Sequence, residues 1–537
     1  MTLTSAATAI LLGVLRAAVA QEGAPPMTRT GEPYELAGNR LVFTNWHYIR
    51  PGGFGWYDDQ GNNITVSGSV GPWGAQLRHT DYPHGIRLVV QPAQRRGPIV
   101  VPERPWEAKG VQINTLLQDG GKLRAWGSCT SEAGTGYACF LESTDGATWE
   151  RPDLGLCDFE GSTANNLLGQ TTVGTVFLDP SAPPEERYKW VDLQTITREE
   201  FDAFRARRPD AWEARADRAD VGQIYAVVGA VSADGLRWTR LPEPLVVEHS
   251  DTQPVCMYDE RLGRYVLYTR NWSVGERSAQ APDDRGLSWM NVGRRSIGRS
   301  ESTDFRQFPL SEIVLEPGPE LLPSDTLYTN CKTTIPGAPD HHLLFPTIWH
   351  TGDDTTSVVL ASSRDNRVWH YLPGPPVLET APFGEWDGGC VFARPNLVEL
   401  PDGSFALPYT GYLFPHKYPR GQWQWATGLA VWPKGRLVAL EAEDRGEFAT
   451  VGLVPRGRKL LINALTQRAG TILVEVADLG GTPLPGRSFA EADPVIGDQF
   501  RTPLTWQGQD DLGFEAGAAI ILRFRLEQAK LFGLEFG

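Results

Sequence analysis

The segment Ser143-Thr-Asp145-Gly-Ala-Thr-Trp149 decides how this chain is read. It has the form S-x-D-x-x-x-W. It returns as Ser232-Ala-Asp234-Gly-Leu-Arg-Trp238 and as Ser363-Arg-Asp365-Asn-Arg-Val-Trp369. A further copy, Ser302-Thr-Asp304-Phe-Arg-Gln-Phe308, carries phenylalanine in the aromatic position. Each copy follows a short strand-like run: YACFLE, YAVVGAV, SIGR and SVVLAS. In such a unit a strand runs into a turn whose Ser and Asp side chains bond nearby backbone amides. The aromatic residue then opens the returning strand and packs between sheets. A single hairpin leaves its faces uncovered, so repeated units must stack on one another.

Working outward, strand–turn–strand patterns alternate with these copies. They are LLQDGGKLRAW (116–126), DPSAPPEERYKWV (179–191), VCMYDERLGRYVLYTR (255–270), HHLLFPTIWH (341–350) and LVELPDGSFALPYTG (397–411). Five hairpin units between about residues 105 and 415 predict an all-β fold, a five-bladed β-propeller spanning 40–440. The charged stretch 197–220, broken by Pro209, reads as a helix-favouring surface insertion or a lid. After WPKGRLVALEA (432–442) the pattern changes to short, evenly alternating runs: KLLINAL, TILVEVAD, IILRFRL (520–526) and KLFGLEF (530–536). These predict a small C-terminal antiparallel β-sandwich over 446–537.

Composition fits this reading. The 57 Gly and 41 Pro of the 537 residues imply many turns, and the 18 Trp suit either sheet packing or the faces of sugar rings. The formal net charge of −15 argues against nucleic acid and anionic lipid as partners. A neutral polar substrate suits such a surface better than a polyanion. Ala6 to Val14 is a short apolar run, and Ala18-Val19-Ala20 offers a cleavage site before Gln21. Residues 1–20 therefore read as a signal peptide of a secreted or periplasmic protein, although Arg16 follows the apolar run rather than preceding it. No later stretch has the ~20 apolar residues of a membrane span. The six cysteines show no zinc-ligand spacing, and no metal or cofactor is expected. Cys129 and Cys139 flank a glycine-containing turn and are either a disulfide or two buried thiols.

The hairpins with a terminal sandwich resemble the five-bladed propeller glycoside hydrolases, the group of invertases, levansucrases and arabinanases, with the sandwich closest to the invertase branch. That branch carries Asn-Asp-Pro-Asn-Gly, Arg-Asp-Pro and Glu-Cys motifs. None stands intact here, and Asn45-Trp46-His47 and Phe177-Leu-Asp179-Pro180 are partial echoes. The repeats are also similar to the Asp-boxes of sialidases, which are scaffold elements.

The resemblance implies an axial pocket with carboxylates at the starts of the innermost strands, since glycosidic cleavage needs an acid and a nucleophile or base. Four acids precede the first strands of successive units: Glu107, Asp251, Asp325 and Asp387. Trp386 is a candidate sugar platform or a packing residue. His350 and His416 end strands near the same rim and are candidates for hydroxyl contacts. Arg394 on VFARPNL calls for a buried partner, most naturally a carboxylate of the site. The expected function is hydrolysis of an oligo- or polysaccharide. The alternatives are a non-catalytic propeller binding glycan or protein, and a sialidase. A sialidase requires an arginine cluster, and Arg394 is the only inner-strand arginine evident in the sequence.

Overall fold

The computed structural model describes residues 32–65, 75–218, 222–274, 293–419 and 424–537. The proposed signal peptide, residues 1–20, lies outside the described residues. The chain is nearly all-β, as expected. Among the described residues no helix is long and apolar enough to cross a membrane.

Four-stranded antiparallel meanders follow one another along the chain. The first comprises Gly110–Asp119, Lys122–Thr130, Gly136–Ser143 and Leu167–Gly169. The second comprises Thr175–Leu178, Tyr188–Ile196, Gln223–Ser232 and Thr239–Arg240, with Asp217–Arg218 added at its edge. The third comprises Val255–Asp259, Arg264–Ser273, Arg294–Ser302 and Glu312–Leu315. In the fourth, each of four chain passages breaks into two short strands. One end holds Thr326–Thr329, Thr347–His350, Thr355–Val358 and Leu378–Glu379. The other holds Lys332–Ile335, Ala338–Leu344, Ala361–Ser363 and His370–Tyr371. The fifth is completed from upstream: Cys390–Ala393, Phe405–Tyr412 and Trp425–Trp432 are joined by Gln94–Val100. Successive meanders touch, and the fifth also touches the first.

This borrowed strand explains why the box occurs four times. Each box links the third strand of a meander to its fourth, and the fifth meander takes its fourth strand from elsewhere in the chain. The boxes are built as their sequence predicts. In the second, Ser232 Oγ donates to Asp234 Oδ1 at 3.0 Å, and the amides of Leu236 and Arg237 donate to the same oxygen at 2.8 Å each. The first and fourth copies repeat this pattern on Asp145 and Asp365. The aromatic residues are sunk between meanders: Trp149, Phe308 and Trp369 are buried and Trp238 is half-buried.

Each box is also a socket for the preceding meander. Trp126, on the second strand of the first meander, donates its Nε1–H to the carbonyl of Gly235 at 2.6 Å. Tyr268 of the third donates to the carbonyl of Asn366 at 3.1 Å. Phe305 of the third box packs on Phe177 of the second meander, with ring centroids 5.7 Å apart. Gly146 of the first box closes on Leu400, from the fifth meander.

The insertion at 197–220 holds one helix, Arg198–Arg207, begun by a capping box between Thr197 and Glu200 and ended before Pro209. Phe201 and Phe204 anchor it by burial against Ile196, Ala211 and Val247. The C-terminal region departs from the expected pair of sheets. Its strands form one six-stranded sheet of Asp498–Pro503, Leu460–Ala477, Ile521–Phe536, Val438–Ala449 and Arg87–Val90, with Arg40–Leu41 on Ile521–Phe536. KLLINAL and TILVEVAD are two halves of one strand, Leu460–Ala477, whose register shifts between Thr466 and Thr471. Alternation of period two reads the same in one bent strand as in two. A continuous apolar core joins this sheet to the fourth and fifth meanders. All six cysteines are free thiols, with Cys129 and Cys139 buried on neighbouring strands.

Two outcomes follow from the boxes. Gly235 has φ +76°, and a Cβ there would stand 2.8 Å from the Trp126 ring. Gly235→Ala should therefore lower stability by about 2 kcal/mol, read as a lower urea midpoint. Backbone amides of Thr148 and Ala147 pull the Asp145 carboxyl down to about 2. Burial opposes ionisation of Asp234, but the amides of Arg237 and Leu236 outweigh it and also hold that carboxyl at about 2. A depressed carboxyl contributes stability above its unfolded pKa of about 4 and loses it as pH falls toward 2. The urea midpoint should fall from about pH 5 to about pH 2, and less steeply in Asp234→Asn.

Candidate functional site

The first strands of the meanders meet at one side chain. Gln253 stands two residues before Val255–Asp259 of the third meander. Its Nε2 donates to the Asn114 carbonyl of the first meander at 2.8 Å and to Thr175 Oγ1 of the second at 3.0 Å. Its Oε1 accepts from Arg394, just beyond Cys390–Ala393 of the fifth, at 2.9 Å. Its backbone carbonyl accepts from Asn330 of the fourth at 3.4 Å. Arg394 also donates to Thr410 Oγ1 at 2.9 Å. The buried partner that Arg394 requires is thus a pair of neutral groups and not the expected carboxylate. An amide oxygen and a hydroxyl satisfy its donors without the desolvation cost of a second ion.

Beside this hub, residues of the third, fourth and fifth meanders form a lined site. Asp251 accepts from Arg270, whose side chain is 1 % exposed. Arg270 also donates to the Tyr328 carbonyl at 2.6 Å and lies 4.2 Å over the Tyr328 ring. Arg295 lies over Trp272, Tyr328 and Trp349 at 4.6, 5.3 and 5.4 Å. His416 packs edge-on against Tyr328, Phe392 and Trp349 at 4.5, 5.2 and 5.3 Å. Lys417 Nζ stands 5.3 Å over Trp349 and 5.7 Å over Tyr328. Asp354 fixes this corner, accepting from Trp349 Nε1 at 2.9 Å and from the Lys417 amide at 2.7 Å.

The electrostatics separate the groups. Burial opposes ionisation of Asp251, but Arg270, His249 and Arg295 outweigh it and keep the carboxyl below its ordinary range. Burial, reinforced by Lys417, Arg270 and Arg295, drives His416 down to about 3, so it is neutral at physiological pH. Burial and the neighbouring Arg270 lower Arg295 to about 10.

The other expected acids each have their own partners. Asp325 is buried beside His350, with Oδ2 3.3 Å from Nδ1, and His350 Nε2 is 2.9 Å from Ser357 Oγ. Asp387 is 2 % exposed, accepting from the Tyr409 hydroxyl at 2.9 Å with Arg95 at 3.7 Å. Glu107 is fully buried beneath Arg151, whose Nε donates to it at 2.7 Å. Glu107 and Asp387 are thus held in buried ion-pair and hydrogen-bond partnerships. Trp386 packs onto a shelf of Gly97, Gly411 and Gly428 in the fifth meander and stacks on Tyr409.

Both motif echoes are structural. Asn45 caps the turn Trp46–Tyr48, and Asp179 is buried in an ion pair with Lys189 at 2.8 Å. Reading the sequence missed Gln253, Arg270, Arg295, Tyr328, Trp349 and Lys417. One signal was present: Arg270 interrupts the apolar run VLYTRNW, a position no charge occupies without a purpose. Among the described residues no group of three or more His, Cys, Asp or Glu is placed to hold a metal ion.

No family model matches the chain, and no curated protein matches it. Among solved structures, it is similar to the catalytic domain of a Coprinopsis cinerea family 62 α-L-arabinofuranosidase, at 12% identity over 64% of this chain and 97% of that one, with a TM-score of 0.38. It is also similar to an N-acetylgalactosamine deacetylase from F. plautii in complex with blood group B trisaccharide, at 12% identity over 65% and 96%, with a TM-score of 0.39. A third is a family 130 protein, of a group of mannoside phosphorylases that contains glycoside hydrolases targeting β-1,2 mannosidic linkages, at 11% identity over 65% and 97%, with a TM-score of 0.36. These likenesses are too distant to assign a reaction to this chain.

Proposed function

We propose that this chain is an exported five-bladed β-propeller with a terminal β-sheet domain, and that it cleaves glycosidic bonds of an oligo- or polysaccharide in the cleft at Asp251. One observation carries the reading. The ionised Asp251 carboxylate is paired with Arg270, which lies over the Tyr328 ring, and Tyr328 packs edge-on against Trp349 and Phe392 where the first strands of the meanders converge. Aromatic faces suit the apolar faces of sugar rings, and a carboxylate ionised at neutral pH suits a nucleophile or general base. Asp325, in the adjoining meander, is the remaining candidate for the proton donor. The neutral His416 offers a hydrogen bond to a sugar hydroxyl and no charge.

A second reading is a propeller that binds glycan without cleaving it. It is favoured by the separate partners of Asp325, Asp387 and Glu107, none of which contacts Asp251.

A hydrolysis assay on a glycan panel distinguishes the two. Asp251→Asn should lower kcat by at least about a hundredfold while its circular dichroism spectrum stays that of the wild type. Asp387→Asn should keep turnover and lose stability. Full turnover by Asp251→Asn would remove Asp251 from the chemistry. Binding without turnover by the wild type would establish the second reading.

A further inference from the structure

We infer that the cleft at Asp251 selects a sugar bearing an anionic substituent, a carboxylate or a sulfate ester; this rests on the carbohydrate reading above. The charge balance of the site runs against that of the chain. The whole sequence carries a formal −15. Around the Tyr328 and Trp349 rings stand Arg270, Arg295, Lys417 and, through the Gln253 hub, Arg394. The facing acids are Asp251, Asp354 and, in the adjoining meander, Asp325, so among the described residues cations outnumber acids four to three.

The pairing is more uneven than the count. Asp251 is taken by Arg270, and Asp354 is taken by Trp349 Nε1 and the Lys417 amide. Arg394 is satisfied by neutral groups. Among the described residues no carboxylate or carbonyl pairs with the Arg295 guanidinium or the Lys417 ammonium. Arg295 is pressed between three aromatic rings, and its buried Nε has no hydrogen-bond partner. Aromatic walls strip water from a guanidinium without returning hydrogen bonds, which is costly until an anion arrives. Arg295 and Lys417 both lie over Trp349, and on the proposal one planar carboxylate or one sulfate is shared between them. The −15 surface discourages a polyanion. A single acidic residue within an otherwise neutral glycan satisfies both features.

Calorimetric titration with matched pairs tests this: galacturonate against its methyl ester, sialyllactose against lactose, and sulfated against unsulfated N-acetylglucosamine. At least one acidic member should bind about tenfold more tightly than its neutral counterpart, and the pair that responds tells carboxylate from sulfate. Arg295→Ala and Lys417→Gln should each shrink that preference, read as the ratio of acidic to neutral affinity within each variant. Lys417→Gln removes charge with little change in volume and guards against misfolding of the arginine variant. No preference in any pair, or a preference that survives both substitutions, overturns the inference. Acid-selective binding without hydrolysis would leave it standing and sink the cleavage reading instead.

Discussion

The architecture turns on one amide. Gln253 reaches the first or adjoining segment of every meander: Asn114, Thr175, Asn330 and Arg394 around its own strand in the third. A glutamine suits this place because it offers donors and an acceptor without charge. Its oxygen takes the guanidinium and its nitrogen supplies a carbonyl and a hydroxyl. An apolar residue there would leave several buried partners unsatisfied, each at a cost of about 1–3 kcal/mol.

Contacts around the circumference reinforce the hub. Asp119, ending the first strand of the first meander, accepts from Tyr188, which opens the second strand of the next. Asp179, just past the first strand of the second, accepts from Tyr265 at 2.7 Å. Asp259, ending that of the third, stands 3.6 Å from His342 in the fourth. The same lock recurs with the acid kept and its partner varied. With the box sockets on the neighbouring surfaces, each meander is fixed to the next at more than one height. Such neighbours hold the aromatic side chains around Tyr328 in place.

Much of this was legible in the sequence, and the limits have physical causes. The boxes were readable because their chemistry is local: a serine, an aspartate and the amides that follow them. The hairpins were readable through period-two alternation and acidic, glycine-bearing turns. The borrowed strand Gln94–Val100 was not, because pairing with Trp425–Trp432 spans more than three hundred residues and leaves no local mark. The acids were misjudged for a related reason. Similar placement before a first strand does not determine which way a side chain turns: Asp251 pairs with Arg270, Asp387 with Tyr409 and Glu107 with Arg151. The arginines went unseen because their significance lies in rings supplied by other meanders.

The site therefore joins an anchored carboxylate, a neutral histidine and two cations that, among the described residues, pair with no carboxylate, on a shared aromatic floor. On the proposed reading, that combination would bind and orient a sugar through its ring faces while reading its charge. The most direct measurement is a crystal structure of Asp251→Asn soaked with the oligosaccharide that binds best. A sugar ring lying against Tyr328 and Trp349, with its acidic group at Arg295 and Lys417, is the predicted result. Density for the sugar elsewhere on the molecule, with this cleft empty, would contradict it.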